Sequence, residues 1–192
     1  MRLSLLRLLP AAALAALLAA APHTLIAQAQ PPAVGAKAPA FTLATPEGNK
    51  VSLAHLEKKG PVVLIVLRGY PGYQCPYCQR QAHDFETSAG QFAAKGVELL
   101  LVYPGPADSL STHAQEFLKQ EQNLPANFHL VIDPGYTVTN LYGLPWNAPS
   151  ETAYPSTFVL TRKGVVTYRK ISHEHGGRTT AAEVLAELGK AM

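Results

Sequence analysis

The chain has 192 residues, 47% of them hydrophobic and 15% charged, with a formal net charge of +3 and two cysteines. That length suits one domain of roughly 150 residues with a short appendage, and the composition excludes a disordered, collagenous or disulfide-framework protein. Setting Arg2 and Arg7 aside lowers the net charge to +1, which leaves no field to draw nucleic acid or anionic lipid.

Residues 1–29 read as a secretory signal peptide. Arg2 and Arg7 give the positive start, residues 8–21 are an apolar run broken at Pro10, and Ala27-Gln28-Ala29 supplies the small-x-small pattern for a cut before Gln30. The competing reading is a retained anchor, but the run is short of the ~20 residues that cross a bilayer. Cleavage would leave no membrane span and place the protein in the periplasm or outside the cell. Residues 30–40, rich in Pro and Ala, are expected to form a flexible arm, and residues 41–192 one domain.

Residues 62–67 (VVLIVL) have the continuous apolar character of a strand buried on both faces. A helix is expected over 78–95, stopped at Gly96, and a second buried strand over 97–103, stopped by Pro104-Gly105-Pro106. Residues 112–122 read as a helix with a capping box from Thr112 to Gln115. A third strand over 128–132 closes at Asp133-Pro134-Gly135, which turn chemistry alone explains. Residues 157–160 and 165–171, joined across Arg162-Lys163-Gly164, form an expected antiparallel hairpin. Thr180 and Glu183 make a second capping box before a helix ending near Met192. This alternation implies an α/β fold with a mixed sheet and helices on both faces.

The chemistry is concentrated in residues 70–85, YPGYQCPYCQRQAHDF, between the first buried strand and a helix. Such a segment lies at the C-terminal edge of the sheet, where open α/β sheets carry their sites. Pro76 suits the first helical position, which makes Cys75 the N-cap and puts Cys78 in the first turn. Unpaired N–H groups and the positive end of the helix dipole favour thiolate there, and lower a thiol pKa from about 8.5 to roughly 3.5–7.5. Three other readings compete. A structural disulfide across so short a loop removes little unfolded-state entropy, and a metal site on Cys75, Cys78 and His83 lacks a second CxxC or HxxxH. Inert buried thiols do not suit a helix start. Redox chemistry is therefore the reading carried forward. His173 and His175, flanking Glu174, suit an exposed strand end better than a metal site, for want of a third ligand. Trp146, in the loop before Pro155, either lines the site or caps the core.

VGAKAPAFTLATPEGNKVSL, YPGYQCPYCQRQAHDF, IDPGYTVTNLYGL and FVLTRKGVV, in that order, resemble the AhpC/TSA group of peroxiredoxin-like, thioredoxin-fold proteins over residues 34–169. The resemblance implies a thioredoxin-like three-layer α/β/α fold with a mixed central sheet and an N-terminal extension. The second segment is similar to the active-site stretch of Q-type peroxiredoxins. Tyr70 and Pro71 match it, Cys78 falls on the peroxidatic cysteine and Cys75 on a threonine, while His83 stands where some members place a resolving cysteine. The arginine that peroxiredoxins carry before the late strand is replaced by Pro155. Tyr154-Pro155-Ser156-Thr157-Phe158 resembles instead the cis-proline stretch of thioredoxin-type reductases, in which the proline packs on the CxxC and shapes a substrate groove. Arg68 and Arg80 are the sequence neighbours that could supply the missing cation, unless each is an ordinary exposed or snorkelling side chain.

The two resemblances disagree about the nucleophile. Thioredoxin logic selects Cys75, the first and more exposed sulfur, with Cys78 resolving. Peroxidase logic selects Cys78, with Cys75 as the partner for its sulfenic acid. The expectation is an exported thiol-disulfide oxidoreductase with a redox-active Cys75–Cys78 disulfide and Pro155, Tyr154 and Pro71 at the substrate. It needs no metal and no cofactor, and its partner is a thiol or protein-disulfide electron donor or acceptor. CPYC also occurs in glutaredoxins, which makes glutathione one candidate. The alternatives are a thiol peroxidase acting on a hydroperoxide and a copper carrier holding the ion between the two thiolates.

Overall fold

The structure, a computed structural model, describes residues 29–119 and 124–191. The expected signal segment lies, through Gln28, outside the described residues. Among those residues no helix is long and apolar enough to cross a membrane.

The elements in chain order are β1 (Thr42–Ala44), β2 (Lys50–Ser52), α1 (Leu53–Lys59), β3 (Val62–Val66), α2 (Pro76–Thr87), α3 (Ala89–Ala93) and β4 (Glu98–Gly105). There follow α4 (Leu110–Leu118), β5 (Phe128–Pro134), α5 (Thr137–Leu141), β6 (Ser156–Leu160), β7 (Val166–Ile171) and α6 (Ala181–Ala191). The strands form one mixed sheet in the order β2-β1-β5-β4-β3-β6-β7. β3, β4 and β5 are parallel, and the expected β6–β7 hairpin is antiparallel.

β3 is buried along its whole length because both faces of the sheet are covered. Val63 and Ile65 pack with Phe85, Phe92, Phe117 and Val184 from α2, α3, α4 and α6. Val62, Leu64 and Val66 pack with Leu53 and Leu56 of α1 and with Val138 of α5. Each such side chain contributes about 1.5–3 kcal/mol on burial. The result is the expected three-layer α/β/α fold, with the ends of β3 and β4 presenting one edge for the site.

Several local expectations are corrected. The helix expected over 78–95 breaks at Ser88, where the Thr87 hydroxyl bonds back to the carbonyls of His83 and Asp84 at 2.9 and 3.1 Å. β4 continues through Pro104 and Gly105, opposite Asp133 and Pro134 of β5, rather than stopping at the proline. Thr112 lies inside α4, whose N-cap is Ser109 at φ 59°, and no side-chain cap bond is formed. Asp133 does more than turn the chain, because its buried carboxylate accepts the N–H groups of Val138 and Thr139 at 3.0 and 2.8 Å and so caps α5. The segment expected to be a flexible arm is tied to β7: Gly35 and Val166 exchange backbone bonds with Val166 and Ala36, and Arg169 donates to the Pro31 and Pro32 carbonyls at 3.0 and 3.2 Å. An edge strand leaves N–H and C=O groups unpaired, and this segment satisfies them.

Candidate active site

Beyond β3 the chain turns at Gly69, whose φ of +75° and close approach to the Pro104 carbonyl leave no room for a Cβ. It reaches α2 with Pro76 at the helix start and Cys75 as the extended N-cap, as the spacing predicts. The N–H groups of Cys78 and Gln79 close on the Cys75 carbonyl at 3.0 and 3.1 Å. Both cysteines are free thiols and both are buried, Cys75 1% and Cys78 0% exposed. Cys75 is therefore not the exposed sulfur that thioredoxin logic expects.

The cation on the sulfurs is Arg178, which the sequence reading missed. Its Nη1 lies 3.4 Å from Cys78 Sγ and its Nη2 3.8 Å from Cys75 Sγ. Nη1 also donates to Gln81 Oε1 at 3.2 Å, and Nε to the His175 carbonyl at 2.8 Å. Arg178 sits in the loop between β7 and α6, which Gly177 turns at φ 64°. Gln81 of α2 donates to the Thr179 carbonyl at 3.2 Å, which fastens the loop beside the thiols. Arg178 is 100 residues from Cys78 in the chain, so only the Gly176-Gly177 turn beside a cation and a helix start marked it in sequence.

Of the two arginines considered from sequence, Arg68 belongs to the site and is buried, not snorkelling. It helps lower the Cys75 pKa, pairs through Nε with Glu151 and donates from Nη2 to the Ser150 carbonyl at 2.7 Å. Arg80 is exposed and lies over the Tyr77 ring, 4.4 Å from its centroid.

These donors decide which sulfur ionises. The Cys78 thiol donates to Cys75, and although burial opposes ionisation, the Cys78 backbone N–H, Arg178 and Arg68 add to the pull and bring the Cys75 pKa down to about 5. Burial, then the neighbouring Cys75 sulfur, push Cys78 well above the ordinary thiol range despite Arg178. Both shifts favour ionisation at Cys75 over Cys78, while Arg178 faces both sulfurs. Burial opposes the Glu151 carboxylate, but hydrogen bonds from Arg68 and His175 outweigh it and hold its pKa below the usual value. Beneath the thiols, the Tyr103 hydroxyl donates to Gln74 Oε1 at 2.9 Å and is kept protonated by burial and by the nearby sulfurs.

The other sequence candidates divide. Pro155 is buried, but its peptide bond is trans, and none among the described residues is cis. Its carbonyl accepts the Ser172 N–H at 2.8 Å at the β6–β7 end. Tyr154 stacks on Trp146 at 5.0 Å and meets His173 edge-on at 4.7 Å. Trp146 also contacts His175 at 5.2 Å, and His175 lies 6.0 Å from the Tyr77 ring. Trp146 therefore belongs to an aromatic wall at the site. Pro71 is partly exposed in the turn before α2. His83 is exposed and pairs with Glu86 at 3.4 Å. Among the described residues no three His, Cys, Asp or Glu side chains are grouped to hold a metal ion. A cleft of about 260 Å³, lined by Tyr77, Arg80, Asp84 and Gly177 among others, opens onto Arg178.

The AhpC/TSA family model matches residues 34–169. A Coxiella burnetii protein named as a peroxiredoxin of the bcp type is 34% identical over 138 residues, which are 69% of this chain and 84% of the relative. In fold the chain is similar to the peroxidoxin BcpB of Mycobacterium tuberculosis, with TM-score 0.66 and 23% identity over 84% of this chain and 99% of that one. It is also similar to a structure described as a thiol:disulfide interchange protein DsbE from Chlorobium tepidum, with TM-score 0.60 and 24% identity over 82% of this chain and 99% of that one.

Proposed function

The chain belongs to the AhpC/TSA family of peroxiredoxin-like thiol enzymes, and from that premise we propose that it is an exported dithiol peroxidase in which Cys75 attacks and Cys78 resolves. The observation that carries this reading is a single guanidinium, Arg178, set against both sulfurs of a buried pair. The Cys75 thiolate attacks one oxygen of a hydroperoxide, the O–O bond breaks, and the departing oxygen takes a proton to leave as water or an alcohol. The Cys75 sulfenic acid then condenses with the Cys78 thiol, releasing water and forming the disulfide. Two equivalents of an external thiol restore the dithiol. Arg178 holds the thiolate and faces the negative charge that grows on the departing oxygen, where a preorganised donor in a water-poor site acts most strongly.

Thiol-disulfide exchange is the second reading, favoured by the CxxC and by the low pKa of its first thiol. Burial favours the peroxidase reading. Cys75 is 1% exposed, so a protein disulfide reaches it only after its cover moves, whereas a hydroperoxide oxygen needs a far smaller opening. Arg178, set against both sulfurs, opposes a second cation between them, so the copper-carrier reading gains no support. Export rests on residues 1–29, and cell fractionation followed by N-terminal sequencing tests it: the mature chain should begin at Gln30 outside the cytoplasm.

The peroxidase reading is tested by mixing reduced residues 30–192 with hydrogen peroxide in a stopped-flow instrument. Thiol loss should exceed that of a free thiolate by orders of magnitude. Loss no faster than the free thiolate would transfer the assignment to disulfide exchange.

A further inference from the structure

Glu151 stands between the two arginines of the site. Its Oε2 takes Arg68 Nε, and its Oε1 lies 2.8 Å from His175 Nε2. Arg68 lies close enough to Cys75 to favour its thiolate. The carbonyl of His175 accepts Arg178 Nε at 2.8 Å, and Arg178 reaches both sulfurs. One carboxylate thus supports two cations that come to the thiols from separate parts of the chain, Arg68 from the end of β3 and Arg178 from the loop after β7.

The carboxylate is itself held. The loop that carries it is closed by the bridge between Pro145 and Ala153 and by the Trp146 N–H on the Thr152 carbonyl at 3.1 Å. Ser150 adopts φ 58° and presents its carbonyl to Arg68 Nη2 at 2.7 Å. The Trp146 and Tyr77 rings sit against His175 at 5.2 and 6.0 Å. A tryptophan and an aromatic-flanked histidine thereby fix the outer end of the chain of contacts.

We propose that Glu151 is a positioning residue that, through Arg68 on one side and His175 on the other, holds both guanidinium groups on the Cys75–Cys78 dithiol. The proposal rests on the dithiol being the reaction site, but not on which electrophile it attacks. Simple electrostatics and positioning predict opposite signs. A nearby negative charge disfavours thiolate, so removing it would make Cys75 more acidic. A carboxylate that places two cations on the sulfur makes Cys75 less acidic when it is lost.

The experiment measures the pH midpoint of Cys75 alkylation by iodoacetamide in the reduced protein, with circular dichroism to report the fold. Glu151→Ala should raise the midpoint by about one unit and slow alkylation below it about tenfold. Glu151→Gln keeps an acceptor for Arg68 and an amide for His175, and should recover most of the wild-type midpoint. His175→Ala alters a side chain that is 41% exposed, and should shift the midpoint in the same direction by less. If the first variant does not fold, the other two decide. An unchanged or lowered midpoint in the folded alanine variants, or glutamine and alanine behaving alike at 151, overturns the proposal. Alkylation uses no peroxide, so failure of the peroxidase reading leaves this result interpretable, and the reverse holds.

Discussion

Cys75 is acidic because of its donors, not because of exposure. Arg178 faces its sulfur, Arg68 and the Cys78 N–H and S–H add to the pull, and burial pushes the Cys78 thiol up. Two outcomes follow from those contacts. The rate of alkylation of Cys75 should stay flat from neutrality downward and halve near pH 5, because the thiolate is present above its pKa of about 5 and is lost as the pH falls through it. A midpoint near the ordinary thiol value would show that the donors do not act. Arg178→Gln should slow the reaction with peroxide about a hundredfold, the usual cost of removing one donor to developing oxygen charge. A change of less than about threefold there would remove Arg178 from the chemistry. The cysteine pair was legible because CxxC carries its own spacing and Pro76 marks the helix start. Arg178 was not, because its distance along the chain is 100 residues and only the loop after β7 brings it back. Arg68 was in view as one of two candidate cations, but its burial was not legible, because its partner Glu151 is another distant residue.

At the scale of elements, the site depends on how α2 and α6 are joined. Asp84 of α2 accepts the N–H of Ala181 at 2.6 Å and so caps α6 from outside that helix. The expected capping box is half formed: Glu183 N–H donates to the Thr180 hydroxyl at 3.2 Å, but the Glu183 carboxylate turns to Tyr168 and Lys170 instead. Asp84→Ala should therefore cost about 1 kcal/mol in denaturant unfolding, the typical worth of a cap. Wild-type stability in that variant would mean that Thr180 suffices. Gly69→Ala should cost about 3 kcal/mol or more, because an added Cβ would stand 1.9 Å from the Pro104 carbonyl at a φ of +75°. Hydrophobic periodicity located β3, β4, β5 and the β6–β7 hairpin because each presents a run of apolar residues. It did not reveal β1 and β2, which are three residues each and only partly buried, nor α5, which is capped by Asp133 rather than by its own sequence. The expected cis bond at Pro155 is absent, and the residue enters β6 in the trans form, with its carbonyl bound by Ser172.

Over the whole molecule, the strand order brings four chain segments to one edge of the sheet: residue 68, residues 75–78, the loop at 151 and the loop at 175–178. The α/β class was legible because buried parallel strands are apolar on both faces whatever their neighbours. This meeting of loops was not, since it depends on which strands become adjacent. A resolving thiol three positions from the first, in the first turn of the same helix, also makes the cycle internal to one chain. One equivalent of peroxide should yield an intramolecular Cys75–Cys78 disulfide that runs as a monomer on a non-reducing gel, and covalent dimers would contradict that. The most direct test of the account asks which sulfur attacks. Reduced Cys75→Ser and Cys78→Ser proteins are mixed with peroxide and dimedone, and the sulfenic acid is located by mass spectrometry. The arrangement of donors predicts rapid labelling of Cys75 in the Cys78→Ser protein and slow or no labelling of Cys78 in the Cys75→Ser protein. Rapid labelling of Cys78 with an unreactive Cys75 would contradict the account and restore the peroxidatic role to the second cysteine.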